Sequence, residues 1–158
     1  MEIRVRRATG EDYDAMCELF DEIDRLHREA LPHIYQKTGG AVREREYYLG
    51  LVADEQVGIF IAEVGSNLVG LVQAEIRETP DIPVLVPRCY AIVDNIVVKS
   101  EYHDQGIGKI LMDKMHAWAS ANGVASIELN VYEFNREAID FYRALGYETL
   151  SRTMRRDL

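Results

Sequence analysis

Between Val97 and Met112 the hydrophobic period changes from that of a strand to that of a helix, across two glycines. A β-branched run ends at Lys99, and apolar residues return at Ile107, Ile110, Leu111, Met115, Trp118 and Ala119, the spacing of one helix face. Gly106 and Gly108 keep side chains away from the first N–H groups of that helix. Those groups lack intrahelical acceptors and carry the positive end of the macrodipole, so a phosphate fits there. The stretch is therefore expected to form a strand, a tight turn and a helix with an anion cradle between them. Neither G-x-G-x-x-G nor G-x-x-x-x-G-K-[ST] is present, so the cradle is not that of a dinucleotide fold or a Walker loop.

The rest of the chain supplies the layers around this unit. Glu2–Ala8 alternates, with Ile3 and Val5 on one face and Arg4 and Arg6 on the other, and predicts a half-buried edge strand. Thr9 to Asp12 offers a cap and early acids for a helix that runs through Met16, Leu19, Phe20 and Ile23 to about Ala30. His33–Gly40 reads as a loop, and a second helix is expected over Val42–Ala53. Val57–Val64 and Leu68–Arg77 form a hairpin across Gly65-Ser66-Asn67. Glu78–Arg88, with Pro80, Pro83 and Pro87, is a long irregular segment of the kind that forms lids and binding loops. Cys89–Lys99 is a strand, apolar except at Asp94 and Asn95, and Ile127, Leu129 and Val131 alternate in another. Asn135–Leu145 is helical and Gly146 stops it, after which Tyr147–Leu150 and Arg152–Arg156 read as two short final strands. Strand, helix and strand in succession imply a right-handed parallel crossover. The expected fold is α/β: a single domain over residues 1–158 with a mixed, mostly antiparallel sheet, a central parallel βαβ step and about four flanking helices.

Composition narrows the function. A chain of 158 residues that is 47% hydrophobic and 28% charged can bury a real core. No apolar run approaches the ~20 residues of a membrane span. Met1 to Arg7 has no apolar signal region, so a cytoplasmic location with no membrane partner is expected. A formal net charge of −9 argues against nucleic-acid binding and favours a cationic acceptor. Cys17 and Cys89 lack C-x-x-C spacing, and His27, His33, His103 and His116 lack ligand spacing, so no metal is expected.

Two segments carry a family resemblance. Tyr102-His103-Asp104-Gln105-Gly106-Ile107-Gly108-Lys109-Ile110-Leu111 resembles the acyl-CoA motif of the GNAT N-acyltransferases, commonly [QR]-x-x-G-x-[GA], with His103 where Gln or Arg is usual. Leu129 to Tyr147 is similar to the second signature, L-x-V-x-x-x-N-x-x-A-[IL]-x-[FL]-Y-x-x-x-G-[FY], with every fixed position filled. The resemblance implies an acetyl-CoA-dependent N-acetyltransferase with a CoA thioester held between two splayed strands. The pantetheine would bond the backbone of Ile96, Val97 and Val98, and Asn135 would hold it from the other side. The pyrophosphate would lie on the amides of His103, Asp104, Gln105, Gly106, Ile107, Gly108 and Lys109. Tyr142 matches the tyrosine taken as the acid for the departing thiolate, and Asp94 matches a strand acid proposed as the base, with Glu75 a lesser alternative. The amide of Val97 or a neighbour would polarise the thioester oxygen. Acceptor contacts would come from His33, Tyr35 and the Glu78–Arg88 loop. The implied acceptor is a primary amine: a small cationic one such as a polyamine or amino sugar, or a peptide or protein amine. A homodimer is a possible assembly. The rival expectation is a non-catalytic CoA-binding sensor or interaction module. The Arg-rich ends, Arg4 to Arg7 and Arg152 to Arg156, read as solvated edge-strand charges.

Overall fold

The computed structural model describes residues 1–158. Five strands, β1 (Ile3–Arg7), β2 (Val57–Val64), β3 (Asn67–Glu78), β4 (Cys89–Val98) and β5 (Ser126–Leu129), form one sheet in chain order. The first four pair antiparallel, and β5 joins β4 in parallel. The helices are α1 (Tyr13–Ala30), α2 (Arg45–Ala53), α3 (Ile107–Ala121) and α4 (Arg136–Ala144). β2 is apolar at successive positions because both faces are covered. On one face Ile59, Ile61, Leu71 and Val97 pack against Met16, Leu19 and Phe20 of α1 and Tyr48 of α2. On the other, Phe60, Ala62, Val72, Ala74 and Val93 pack against Ile107, Leu111, Met112 and Met115 of α3.

Three expectations are corrected. The second helix begins at Arg45 rather than Val42, because Glu44 takes an extended conformation and the Tyr13 hydroxyl donates to the Arg43 carbonyl. The two final strands do not form: residues 148–158 belong to no element, since a strand needs a partner and none lies beside them. The basic N-terminal strand is not simply solvated. Arg6 makes two bonds to Asp12, at 2.8 and 2.9 Å, and two to Glu63, at 2.8 and 3.0 Å, while Arg7 donates to the Val57 carbonyl. The Arg6 guanidinium holds the Asp12 carboxyl below the ordinary carboxylate range. Replacing Arg6 with Met leaves the buried Asp12 carboxylate and the half-buried Glu63 carboxylate without their shared cation, an expected loss of about 2 kcal/mol in denaturant unfolding. Because the folded pKa of Asp12 is depressed, its contribution is present above the unfolded value near ~3.9 and is lost as pH falls through the folded one. The stability gap between wild type and Arg6→Met therefore closes in acid.

Candidate active site

β3 and β4 change register between Gln73 and Ala74: Gln73 faces Asn95 and Ala74 faces Val93. Asp94 is the extra residue, a β-bulge on β4. β5 pairs with β4 only up to Val93 opposite Leu129, so the parallel ladder ends one residue before the bulge. Beyond it, β4 stays paired with β3 as far as Val98 opposite Gly70, while residues 130–135 form no ladder on its other side. The sheet is thus open between these two segments. The bond from the Lys99 N–H to the Val69 carbonyl fixes the alternation along this half of β4. Val97 is directed at β3, and the polar groups of Ile96 and Val98 face the opening.

At the open end stands the glycine junction. Asp104, at φ 59°, and Gly106, at φ 79°, take left-handed conformations. No protein acceptor receives an N–H from Asp104 through Lys109, and the first bond of α3 runs from Ile110 to the Gly106 carbonyl. These successive free amides make a concave anion nest at a helix N-terminus. The two glycines serve it differently. Gly106 supplies the backbone conformation, with open space where a Cβ would stand, whereas a Cβ on Gly108 would come within 3.2 Å of the Phe141 ring of α4. The side chains around the nest are already engaged. His103 Nε2 donates to the Val98 carbonyl at 2.7 Å, so that N–H is not free to meet an anion in the nest. Lys109 is bonded to Asp113 at 2.6 Å.

α4 carries the remaining residues of the second signature. Asn135 caps it, its side-chain oxygen accepting from the Ala138 amide at 3.2 Å. Tyr142 has no hydrogen-bond partner in the protein, and burial pushes its hydroxyl up to about 12, which keeps the proton on oxygen at neutral pH. The helix closes with Gly146 at φ 94° and with the Tyr147 amide donating to the Tyr142 carbonyl. That turn places the Tyr147 ring 5.8 Å from that of Tyr142, and its hydroxyl bonds His116 of α3 at 2.7 Å.

Asp94 reaches solvent at the bulge, yet the surrounding sheet desolvates it enough to raise its carboxyl pKa. Arg77 opposes that shift and Glu75 adds to it. A carboxyl with a raised folded pKa contributes stability at low pH and loses it as pH rises through that value. Asp94→Asn is therefore expected to raise the melting temperature at neutral pH while lowering turnover, checked by calorimetry and a rate assay on one preparation. A variant that lost both would mean that Asp94 is a structural partner rather than a strained one.

α1 bridges the two arms of the opening on its own face. Glu22 accepts the Ser100 amide at 2.9 Å beside the end of β4, and the His27 ring lies 5.5 Å from Tyr132 and 6.2 Å from Phe134 on the other arm. Tyr35 stacks on His27 at 5.2 Å, and its hydroxyl bonds that of Tyr132 at 2.8 Å. Tyr35 therefore helps to close the wall, while His33 is exposed in the same loop. Below α1, Asn95 donates to Gln73 at 3.2 Å, and Gln73 is only 5% exposed. Nothing in the sequence assigned His27, Tyr132, Phe134 or Gln73 a place at the site. For Gln73 the signal was a lone amide inside Leu71-Val72-Gln73-Ala74, whereas nothing local marked the aromatic residues as neighbours.

A sheet opened beside a nest of free amides is the architecture of acetyltransferases that use coenzyme A. Residues 18–147 match the model of the acetyltransferase (GNAT) family, and the chain belongs to that family. It is 30% identical over 144 residues to an uncharacterised N-acetyltransferase of Methanocaldococcus jannaschii, a match covering 91% of this chain and 60% of that protein. The tetramutant of the BH1408 protein from Bacillus halodurans shares the fold with a TM-score of 0.92 at 22% identity, over 98% of this chain and 99% of that one. AAC(6′)-Iy, solved with the bisubstrate analogue CoA-S-monomethyl-acetylneamine, gives a TM-score of 0.72 at 15% identity, over 100% of this chain and 99% of that one.

Proposed function

We propose that this chain moves an acetyl group from acetyl-CoA directly to a primary amine. The observation that carries the reading is the bulge at Asp94, which ends the β4–β5 ladder and places a carboxylate at the vertex of an opening whose other end is the amide nest. The pyrophosphate of CoA sits on the amides from Asp104 to Lys109, and the pantetheine bonds the groups of Ile96 and Val98 that face the opening, as an added strand would. Asp94 takes a proton from the acceptor ammonium, directly or through water, because only a neutral amine attacks a thioester. The new C–N bond forms as the carbonyl oxygen gains charge, which the Ile96 amide stabilises. The C–S bond then breaks as Tyr142 gives its proton to the thiolate; the acylated nitrogen sheds its second proton through water to the Tyr142 phenolate, and Asp94 passes the first to solvent.

The acceptor class we favour is a small cationic amine such as a polyamine or amino sugar, with a peptide amine next. A chain of net charge −9 with Glu75 beside Asp94 attracts such a cation. The bisubstrate analogue bound by AAC(6′)-Iy likewise joins CoA to an amino sugar derivative. A second reading, a CoA-binding module without turnover, draws on His103 and Lys109, whose engagement with Val98 and Asp113 leaves the nest without a free cation. Thiol release from acetyl-CoA, measured with polyamines, amino sugars, amino acids and short peptides, separates the two. Turnover with one class establishes the enzyme, and tight CoA binding without turnover across the panel favours the module.

A further inference from the structure

Gln73 is the one amide in the buried run from Val69 to Ala74 of β3. Its Oε1 accepts from Asn95, and its nitrogen meets no acceptor in the protein. No side-chain nitrogen or oxygen is both sealed from solvent and without a partner, so the free N–H groups of Gln73 open onto the space beside them. The carbonyl oxygen of the half-buried Asn95 is likewise unpartnered. The fold alone does not call for this pair. Leu71 and Val97, the next residues on the same face, pack against α1, and an apolar residue at position 73 would extend that core without an unmet donor.

The two amides stand in the site already described. Gln73, Glu75 and Arg77 alternate along one face of β3, and Asn95 lies opposite Gln73, one residue after Asp94. Glu75 and Arg77 both act on the Asp94 carboxyl, which is therefore turned to the same face. Consecutive Cα atoms are about 3.8 Å apart. An amine that gives its proton to Asp94 thus brings whatever its second carbon carries within reach of the two amides.

We infer that Gln73 and Asn95 bind the acceptor, and that they select an amine with a neutral group at its second carbon that both donates and accepts a hydrogen bond: a hydroxyl, as in an amino sugar, or a carboxamide, as in an amino acid amide. The inference rests on the acetyl-transfer reading above and narrows its acceptor. The pair presents an N–H2 group and a carbonyl, and turning both amides over exchanges the two roles without changing what is offered. A second ammonium only donates, so a diamine leaves the Gln73 N–H groups unmet. A carboxylate only accepts, so it leaves the Asn95 carbonyl unmet and stands near Asp94 and Glu75, while Arg77 is already held by Glu75 at 3.2 Å. A hydroxyl or a carboxamide satisfies both halves of the pair.

The test uses the full chain and compares thiol release from acetyl-CoA with ethanolamine, glycinamide and putrescine, each against ethylamine and each expressed per neutral amine. The kcat/KM for ethanolamine or glycinamide is expected to exceed that for ethylamine about 100-fold, with putrescine near ethylamine. Whichever of the first two stands higher identifies the hydroxyl or the carboxamide as the source. In Gln73→Met the advantage is expected to fall to within about threefold, chiefly through KM, while the acetyl-CoA Kd stays within about twofold. Ethylamine or putrescine matching both oxygenated amines, or an advantage that Gln73→Met keeps, overturns the inference. The side-chain NH2 resonance of Gln73 gives a readout without turnover: it is expected to shift with ethanolamine or glycinamide and not with ethylamine, and an unmoved resonance overturns the inference as well. That shift without thiol release from any amine defeats the transfer reading and leaves the binding pair standing. Should Gln73→Met not fold, Asn95→Ala, at a half-buried position, removes the other half of the pair and gives the same readouts.

Discussion

Replacing Tyr142 with phenylalanine is expected to lower kcat about 100-fold, the low end of what one positioned proton donor contributes. The KM for acetyl-CoA should stay within about twofold, because the ring keeps its place against Phe141 and Tyr147, at centroid distances of 5.4 and 5.8 Å, and the hydroxyl has no protein partner to lose. A thioester whose thiol is more acidic than that of CoA should narrow the deficit, since such a thiolate departs without protonation. Equal deficits with both thioesters would remove Tyr142 from the acid role and leave it a packing residue of α4.

A valine at Gly108 is expected to act on binding instead. The site lies on α3, where its Cβ would stand 3.2 Å from one edge of the Phe141 ring, and the γ-methyls would overlap it. No residue of α4 is fully buried, so the helix is displaced more readily than α3. Its shift carries Asn135 and Tyr142 away from the opening and disturbs the adjoining amides. The acetyl-CoA Kd should rise about 100-fold, equivalent to losing one or two charge-assisted bonds, whereas overpacking costs the fold only about 1–3 kcal/mol. Gly108→Ala, which asks Phe141 to yield a few tenths of an ångström, should bind nearly normally. If valine binds acetyl-CoA as glycine does, the contact between α3 and α4 does not shape the site.

Much of this was readable beforehand because it rests on local period. The apolar runs of β2 and β3, the change of period at Gly106, and the stop at Gly146 each follow from side-chain spacing and backbone freedom. What escaped is non-local or lies in the partner of a group. Nothing near Asp94 marks a bulge, since neither glycine nor proline stands there, and the extra residue is defined only by the strand opposite. Gly108 was read as room for an anion, and the structure finds a packing contact with a helix some thirty residues away. Arg6 read as a solvated charge because Glu63, its partner at 2.8 Å, belongs to another strand. Residues 148–158 read as two short strands and the structure forms neither, because strand structure is a property of two segments and no second segment pairs with this one.

The bulge has a consequence for how β4 can vary. Val93 and Val97 are four residues apart and would share a face on a regular strand, yet they pack into opposite cores. The extra residue therefore sets the phase of everything after it. Deleting position 94 would turn Val97 toward α3 and Ile96 and Val98 toward α1, dismantling one core while leaving every other residue of the strand unchanged. Substituting it alters only the side chain. The carboxylate at this site is thus open to exchange for other chemistries, while the backbone unit beneath it is not dispensable to this fold.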